Sequence, residues 1–209
     1  IWSIYILFVI GCLFLMRYRL SLLESSAVIL ANFATATISR PLWDSLAAYQ
    51  QNRILVYLDP QVDPRGAGYQ VIQSKLAIGS GEFGGQGFTA GAQKRFDFLP
   101  EQHTDFIFAV VGEEFGFVGV ALALLAFAFV LSRLVRMASH LGESQVFAGL
   151  VLLGIFGAWL VHVFVNIGMT IGVVPITGIP LPFVSYGGTF LFMSWVAVAI
   201  AVRVTHERL

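Results

Sequence analysis

A chain of 209 residues, 57% hydrophobic and only 11% charged, is not an ordinary soluble domain. Its formal net charge of zero leaves no basic surplus to displace counterions, which argues against a nucleic-acid partner. The single cysteine, Cys12, lies inside an apolar run, so disulfide frameworks and cysteine-based metal sites are excluded within the chain.

Ile1 to Met16 is free of charge and already apolar at its first residue, with no basic leader or cleavage site. It reads as the interior of a membrane span, and the chain as part of a longer protein. Arg17 and Arg19 form a short basic turn before a second apolar segment, Leu20 to Ser39, with Glu24 near its start. Arg40-Pro41 is expected to end that segment, because proline disfavours helix in the residue before it.

Residues 40–105 read as a long insert that does not cross. Trp43, Tyr49 and Tyr57 suit the headgroup level, and Asp59-Pro60 and Asp63-Pro64 mark turns. Tyr69 to Ile78 predicts a short helix with Tyr69, Ile72 and Leu76 on one face, suited to lying along the interface. The glycine-rich run from Gly79 to Gly91, GSGEFGGQGFTAG, predicts a shaped loop instead of a helix.

A third span is expected from about Phe106 to Leu131, with Glu113 and Glu114 in its first third and Arg133 and Arg136 closing it. From Gln145 to Val202 there is no Asp, Glu, Lys or Arg. At about 20 apolar residues per crossing, that run holds two spans and a connection. The spans are Val146 to Thr170, carrying His162 and Asn166, and Thr189 to Val202, terminated by Arg203, His206 and Arg208. The connection, Ile171 to Gly188, is uncharged and broken by Pro175, Pro180 and Pro182. Non-helical backbone of this kind needs protein or a water cavity around it, so it is expected to dip back toward the membrane.

The fold expected is therefore an all-α polytopic membrane protein of about five transmembrane helices. Two lie in 1–39, a large extracytoplasmic loop fills 40–105, and three helices with a Pro/Gly-rich outer connection fill 106–209. The pairs Arg17/Arg19, Arg133/Arg136 and Arg203/Arg208 alternate with connections that are long or lack basic residues. The positive-inside rule assigns the three pairs to the cytoplasm and the insert and connection to the outer face.

Chemistry is expected in the polar stretch Leu58 to Glu114, which holds most of the acidic residues. Asp105 stands where the polar loop becomes membrane helix, after Glu101, His103 and Thr104. It reads first as an N-cap, and a helix N-terminus also stabilises an ionised carboxylate able to accept a proton or bind a cation. Glu113 and Glu114 are carboxylates at membrane depth, either functional or paired with an arginine or a backbone amide. Arg53, Arg65, Lys75, Lys94 and Arg95 could together hold a diphosphate, although singly they read as solvated loop or headgroup contacts. The glycine loop does not match a P-loop. His162 and Asn166, one turn apart, read as interhelical hydrogen bonders. No metal-ligand spacing or nucleophile–base motif is present, so residues alone leave enzyme and transporter both open.

Three long motifs go further. NRILVYLDPQVDPRGAGYQVIQSKLAIGSG, FLPEQHTDFIFAVVGEEFGFVG and PLPFVSYGGTF, in that order, resemble the SEDS family (shape, elongation, division and sporulation), from Tyr49 to the C-terminus. QSKLAIGSG resembles the RodA elongation branch more than the FtsW division branch. Family members have ten spans, so the resemblance implies a C-terminal half without its N-terminal half, inactive if isolated. It also implies a peptidoglycan glycosyltransferase that polymerises lipid II at the outer face of the bacterial inner membrane. The essential acid of the HTDF motif falls on Asp105, as general base or as ligand of a divalent cation, Mg or Mn. His103, Thr104, Glu113, Glu114, Arg53, Lys75 and Ser185-Tyr186-Gly187-Gly188 are implied substrate-binding positions. The implied partners are an undecaprenyl diphosphate-linked glycan and a class B penicillin-binding protein. A flippase for the lipid-linked precursor, or a non-catalytic scaffold of a cell-wall complex, are the alternatives.

Overall fold

A computed structural model describes residues 22–91, 103–141 and 145–206; the first apolar run, Arg17, Arg19, Lys94, Arg95, Glu101 and Arg208 lie outside them. The described residues are helical, without strands, and fall in two compact units, 1–51 and 52–209.

In the first unit, α1 spans Leu22–Ser45. It continues through Arg40 and Pro41, where the sequence predicted an end. A proline inside a helix removes one N–H donor and tends to kink the helix without forbidding its continuation. The Thr37 hydroxyl donates to Phe33 O at 3.0 Å and that of Ser39 to Ala36 O at 2.9 Å, so both are satisfied within the helix. Helix α2, Ala48–Leu58, begins in this unit and continues into the second.

Both Asp-Pro pairs are turns in the second unit. Asp59 caps a single 3₁₀ turn, Pro60–Val62, by accepting Gln61 N–H at 2.9 Å. The Asp63 carboxylate accepts from Asn52 Nδ2 at 2.7 Å, Gly66 N–H at 2.9 Å and Ala67 N–H at 3.1 Å. It thus ties α2 to the start of α3, Ala67–Ser80. The face of α3 that packs against protein is Gly68, Val71, Ser74 and Ala77, while Leu76, on the face expected to lie along the interface, is exposed. The cause is tertiary. Helix α3 packs against two membrane helices, and Ser74 Oγ donates to Thr170 O at 2.8 Å across that contact.

Among the described residues, three helices are long and apolar enough to cross a membrane: α4 (Ile107–Ser139), α5 (Val146–Ile171) and α6 (Gly188–His206). Most of their apolar side chains face outward, Leu125, Phe129, Phe147 and Phe164 among them. This is the surface a lipid-embedded bundle presents, since acyl chains are as apolar as leucine. Helix α4 includes Arg133 and Arg136 and runs on to Ser139, beyond the expected end. Leu134, Leu152, Trp159 and Ala201 form the core where α4, α5 and α6 meet toward the basic end. Val56, Val71, Phe106, Ala109, Met169 and Ile176 form the core at the opposite end, where the insert joins.

Sequence reading missed the break in α4. Gly116 has φ 61° and ψ −157°, so the helical bonds from Phe117 N–H to Glu113 O and from Val118 N–H to Glu114 O are not made. The glycine loop supplies all four partners. Glu113 O accepts Gln86 N–H (2.9 Å) and Glu114 O accepts Gly87 N–H (3.0 Å), while Phe117 N–H donates to Glu82 O (3.0 Å) and Val118 N–H to Phe83 O (3.3 Å). Buried backbone groups left unpaired would each cost about 1–3 kcal/mol, so loop and break require one another.

Two predictions follow from these contacts. Alanine at Gly116 would carry a Cβ in a backbone region that is essentially glycine-only, about 1–3 kcal/mol of strain, and would crowd Gly81 O (2.7 Å) and Phe83 O (2.8 Å). The melting temperature of Gly116→Ala in detergent should fall; an unchanged value would show that the seam can shift freely. Asp63 titrates below the ordinary carboxylate range because of Asn52, aided by backbone N–H groups at Ala67, Gly66 and Arg65 and opposed by desolvation. A depressed carboxyl contributes stability above its unfolded value and loses it as pH falls through the lowered folded value. Acid should therefore loosen the α2–α3 corner, and Asn52→Leu should move that loosening to higher pH. Hydrogen exchange of residues 60–67 reads this, and identical pH midpoints in the two proteins would contradict it.

Candidate active site

His103 to Phe106 form a turn that leads into α4, and their backbone is held from the other half of the second unit. Tyr186 N–H donates to His103 O at 2.8 Å, Ser185 Oγ to Thr104 O at 2.6 Å, and Asn166 Nδ2 to Asp105 O at 2.9 Å. Three consecutive carbonyls are thus fixed by three different groups. Ser185 is itself locked, accepting Leu181 N–H on its hydroxyl at 2.7 Å and donating its own N–H to Leu181 O at 3.0 Å. Asn166, fully buried, donates a second bond to Ile179 O at 2.8 Å.

The connection that supplies these partners doubles back along α5. Val174 N–H bonds Gly168 O, Ile179 O meets Asn166, Pro180 O lies 3.0 Å from His162 Nδ1, and Phe183 meets Trp159 edge-on at 5.0 Å. From Ile171 to the level of Trp159 is about 18 Å at 1.5 Å per residue. The segment lies back along α5, with Ile176, Leu181, Pro182 and Ser185 buried in the contact. A carbonyl only accepts, so His162 Nδ1 carries the proton in that bond; the ring also stacks on Phe190 at 5.0 Å. Phe183, at φ 65°, is wedged between Trp159 and Trp195 (5.6 Å). That is a rare conformation for a bulky residue, held by its surroundings.

Asp105 is not the N-cap of α4. Phe106 occupies that position and makes no side-chain cap, so the carboxylate stands one residue further out. It rests against the returning connection: a Cβ built on Gly178 would lie 3.0 Å from Asp105 Oδ2. The polar turn is anchored through its carbonyls, with Asp105 Oδ2 close to Gly178.

Five of the expected substrate-binding residues, His103, Ser185, Tyr186, Gly187 and Gly188, line one cavity of about 630 Å³, within the range of small-molecule sites. His103, Ser185, Tyr186 and Gly187 form its polar part, and Ile107, Phe183, Val184 and Leu191 its apolar part. Tyr186 is 80% exposed. Thr104 is half-buried in the same turn. Arg53 and Lys75 are elsewhere, in a separate cleft of about 20 Å³ with Tyr57, Pro60 and Gly172. The Lys75 ammonium lies against Gly172, the left-handed C-cap of α5, where the helix dipole favours a cation. Glu113 and Glu114 are buried beneath the glycine loop. Glu114 Oε1 accepts Thr89 N–H at 3.1 Å and the Glu113 carboxylate abuts Gly91. The backbone-amide reading holds for Glu114, and neither carboxylate joins the His103–Ser185 cavity. Gly178 was missed. Its only signal in the sequence was a glycine between prolines, in VPITGIPLP.

Among the described residues, no three His, Cys, Asp or Glu side chains converge as a metal-binding group. The donor set does not build a protein cage for an ion. Asp105 offers the one carboxylate that a water-rich Mg²⁺ site can use alongside substrate phosphates.

The family model described as Cell cycle protein, FTSW_RODA_SPOVE, matches residues 2–209. The peptidoglycan glycosyltransferase MrdB of Escherichia coli K12 is 44% identical over 164 residues, covering 77% of this chain and 43% of that protein. RodA of Treponema pallidum, also named a peptidoglycan glycosyltransferase, is 40% identical over 164 residues, covering 78% of this chain and 37% of RodA. A probable peptidoglycan glycosyltransferase FtsW of Shewanella sediminis is 40% identical over 210 residues, covering 99% and 49%. The chain thus spans about half the length, or less, of these relatives. A solved structure described as structural coordination of polymerization and crosslinking by a peptidoglycan synthase complex superposes with a TM-score of 0.62. It is 35% identical, over 89% of this chain and 50% of its own.

At Gly178, φ +72°, a Cβ would lie 3.0 Å from Asp105 Oδ2, so the carboxylate would have to give way by a few tenths of an ångström. Gly178→Ala should push the carboxylate outward and raise its labelling rate with a water-soluble carbodiimide several-fold. Unchanged labelling, read by mass spectrometry of the 103–106 peptide, would show that the carboxylate does not rest there.

Proposed function

This chain belongs to the FtsW/RodA/SpoVE family of cell cycle proteins, and on that premise we propose that the protein is a peptidoglycan glycosyltransferase that polymerises lipid II during cell elongation. The observation that supports this most is the clamped 103–105 turn at the end of the bundle, which carries Asp105 and whose His103 lines an amphipathic cavity, Asp105 itself not being among the lining residues. A lipid-linked sugar needs such a place, with apolar wall for the prenyl chain and polar groups for the saccharide.

In the proposed reaction the Asp105 carboxylate takes the proton of the acceptor sugar hydroxyl. The freed oxygen bonds to the anomeric carbon of the donor. The bond from that carbon to the undecaprenyl diphosphate breaks, and its electron pair leaves with the diphosphate. General-base action of this kind contributes typically about 10²–10⁴-fold. In the alternative role Asp105 would hold a divalent cation instead of acting as base, and the cation would neutralise charge on the leaving diphosphate. His103, Ser185, Tyr186 and Gly187 line the saccharide's approach.

The bacterial inner membrane is the proposed location, with the insert and the connection on the outer face. A class B penicillin-binding protein is the proposed partner; the likeness to a peptidoglycan synthase complex supports it. The flippase alternative rested on Glu113, Glu114 and the broken connection. Glu113 and Glu114 serve the loop–helix seam, and the connection clamps the Asp105 turn, which weakens that alternative.

Asp105→Asn in the full-length protein should lower glycan polymerisation from purified lipid II by about 10²-fold or more, with folding unchanged by melting temperature. Normal polymer from the folded variant would overturn the reading. Precursor translocation in vesicles without polymer would replace it with the transporter.

A further inference from the structure

Asn166 is set where its amide can do two things at once. It lies on α5, five residues before that helix ends, with no solvent exposure. Its Nδ2 has two protons, and both are used, one on Asp105 O at 2.9 Å and one on Ile179 O at 2.8 Å. Rotating the amide would aim Oδ1 at two carbonyl oxygens, so the chemistry of the partners settles the assignment.

The two carbonyls belong to the two backbones that meet at the carboxylate. Asp105 O fixes the peptide plane following Asp105, one of the two planes that orient its Cα–Cβ bond, the other being held by Ser185 through Thr104 O. Ile179 O belongs to the residue after Gly178, near which Asp105 Oδ2 lies. One side chain therefore ties the backbone that carries the carboxylate to the backbone opposite it. Ser185 and Tyr186 hold the neighbouring carbonyls but not that of Asp105 itself.

We infer that Asn166 is the positioning residue of the proposed polymerase, holding the Asp105 carboxylate at the attacking sugar hydroxyl by bridging Asp105 O and Ile179 O. The inference rests on the polymerase reading. Asn166 does not touch substrate, so its loss acts on turnover and not on lipid II binding. Misplacing a reacting group by about 1 Å costs up to about 100-fold in rate. An interhelical bond with no bearing on Asp105 would lower stability and leave turnover per folded molecule alone.

The test uses the full-length protein, purified lipid II and three variants: Asn166→Leu, which keeps the volume and removes both donors, Asn166→Gln, which keeps the amide, and Asp105→Asn. Expected for Asn166→Leu is a kcat 10- to 100-fold lower per folded molecule, with KM for lipid II within about two-fold. Faster hydrogen exchange of residues 103–106 and partial recovery in Asn166→Gln are also expected. If Asn166→Leu is folded and turns over normally while Asp105→Asn is dead, the inference falls and the polymerase reading stands. If Asn166→Leu loses stability, or raises KM, without lowering kcat per folded molecule, the residue is merely structural and the inference is equally overturned. If Asn166→Leu does not fold, Asn166→Gln decides by the same kcat-against-KM comparison, normal turnover with rapid exchange at 103–106 counting against the inference. If Asp105→Asn polymerises normally, the polymerase reading fails first and this inference with it.

Discussion

A polar turn can lie among apolar helices only if its backbone is paired, and the turn at His103 to Asp105 shows how that requirement shapes this molecule. Its three carbonyls are met by Tyr186 N–H, Ser185 Oγ and Asn166 Nδ2. Water could satisfy them at a surface. Inside a bundle the partners must come from protein. That need brings the 171–188 connection back along α5, and the returning strand of chain then forms the wall that Asp105 faces. Site and fold are joined by one set of hydrogen bonds.

The same requirement operates at the break in α4. Gly116 interrupts the ladder, two carbonyls and two amides are left over, and the loop from Glu82 to Gly87 takes all four. The buried Glu114 adds a bond to Thr89 N–H from the helix side. Carboxylates at membrane depth are costly and by default suggest ion or substrate pathways. Here one of them binds a loop amide, which gives it a reason to be there without any transport.

Much of this was legible in the sequence. The charge-free run from Gln145 to Val202 gave two spans and a folded connection because hydrocarbon thickness sets helix length, and α5 and α6 lie there. The HTDF and SYGG motifs pointed to residues that the structure brings within hydrogen-bond reach of one another. What was not legible depended on long-range contact. The buried face of α3 is chosen by α4 and α5, which periodicity within ten residues cannot know. Asp105 read as a cap because an aspartate before an apolar helix satisfies that rule locally, yet Phe106 takes the position. Gly116 is one of several glycines in an apolar run, and nothing in the spacing sets it apart until the loop is seen opposite it. Arg53 and Lys75 read as cavity residues by charge alone, and they occupy a different cleft.

The seam between the glycine loop and α4 is made of main-chain atoms. Amides and carbonyls are common to all residues, so Glu82, Phe83 and Gln86 contribute their backbone to it whatever side chains they carry. Size is what the seam registers, because a methyl group on Gly85 would meet Glu114 O. Apart from Phe83 and Phe88, which pack on Phe117 and Phe115 of α4, the loop's outward side chains are thereby released from holding the helix together, and the surface they form can change its chemistry while the bundle beneath stays the same.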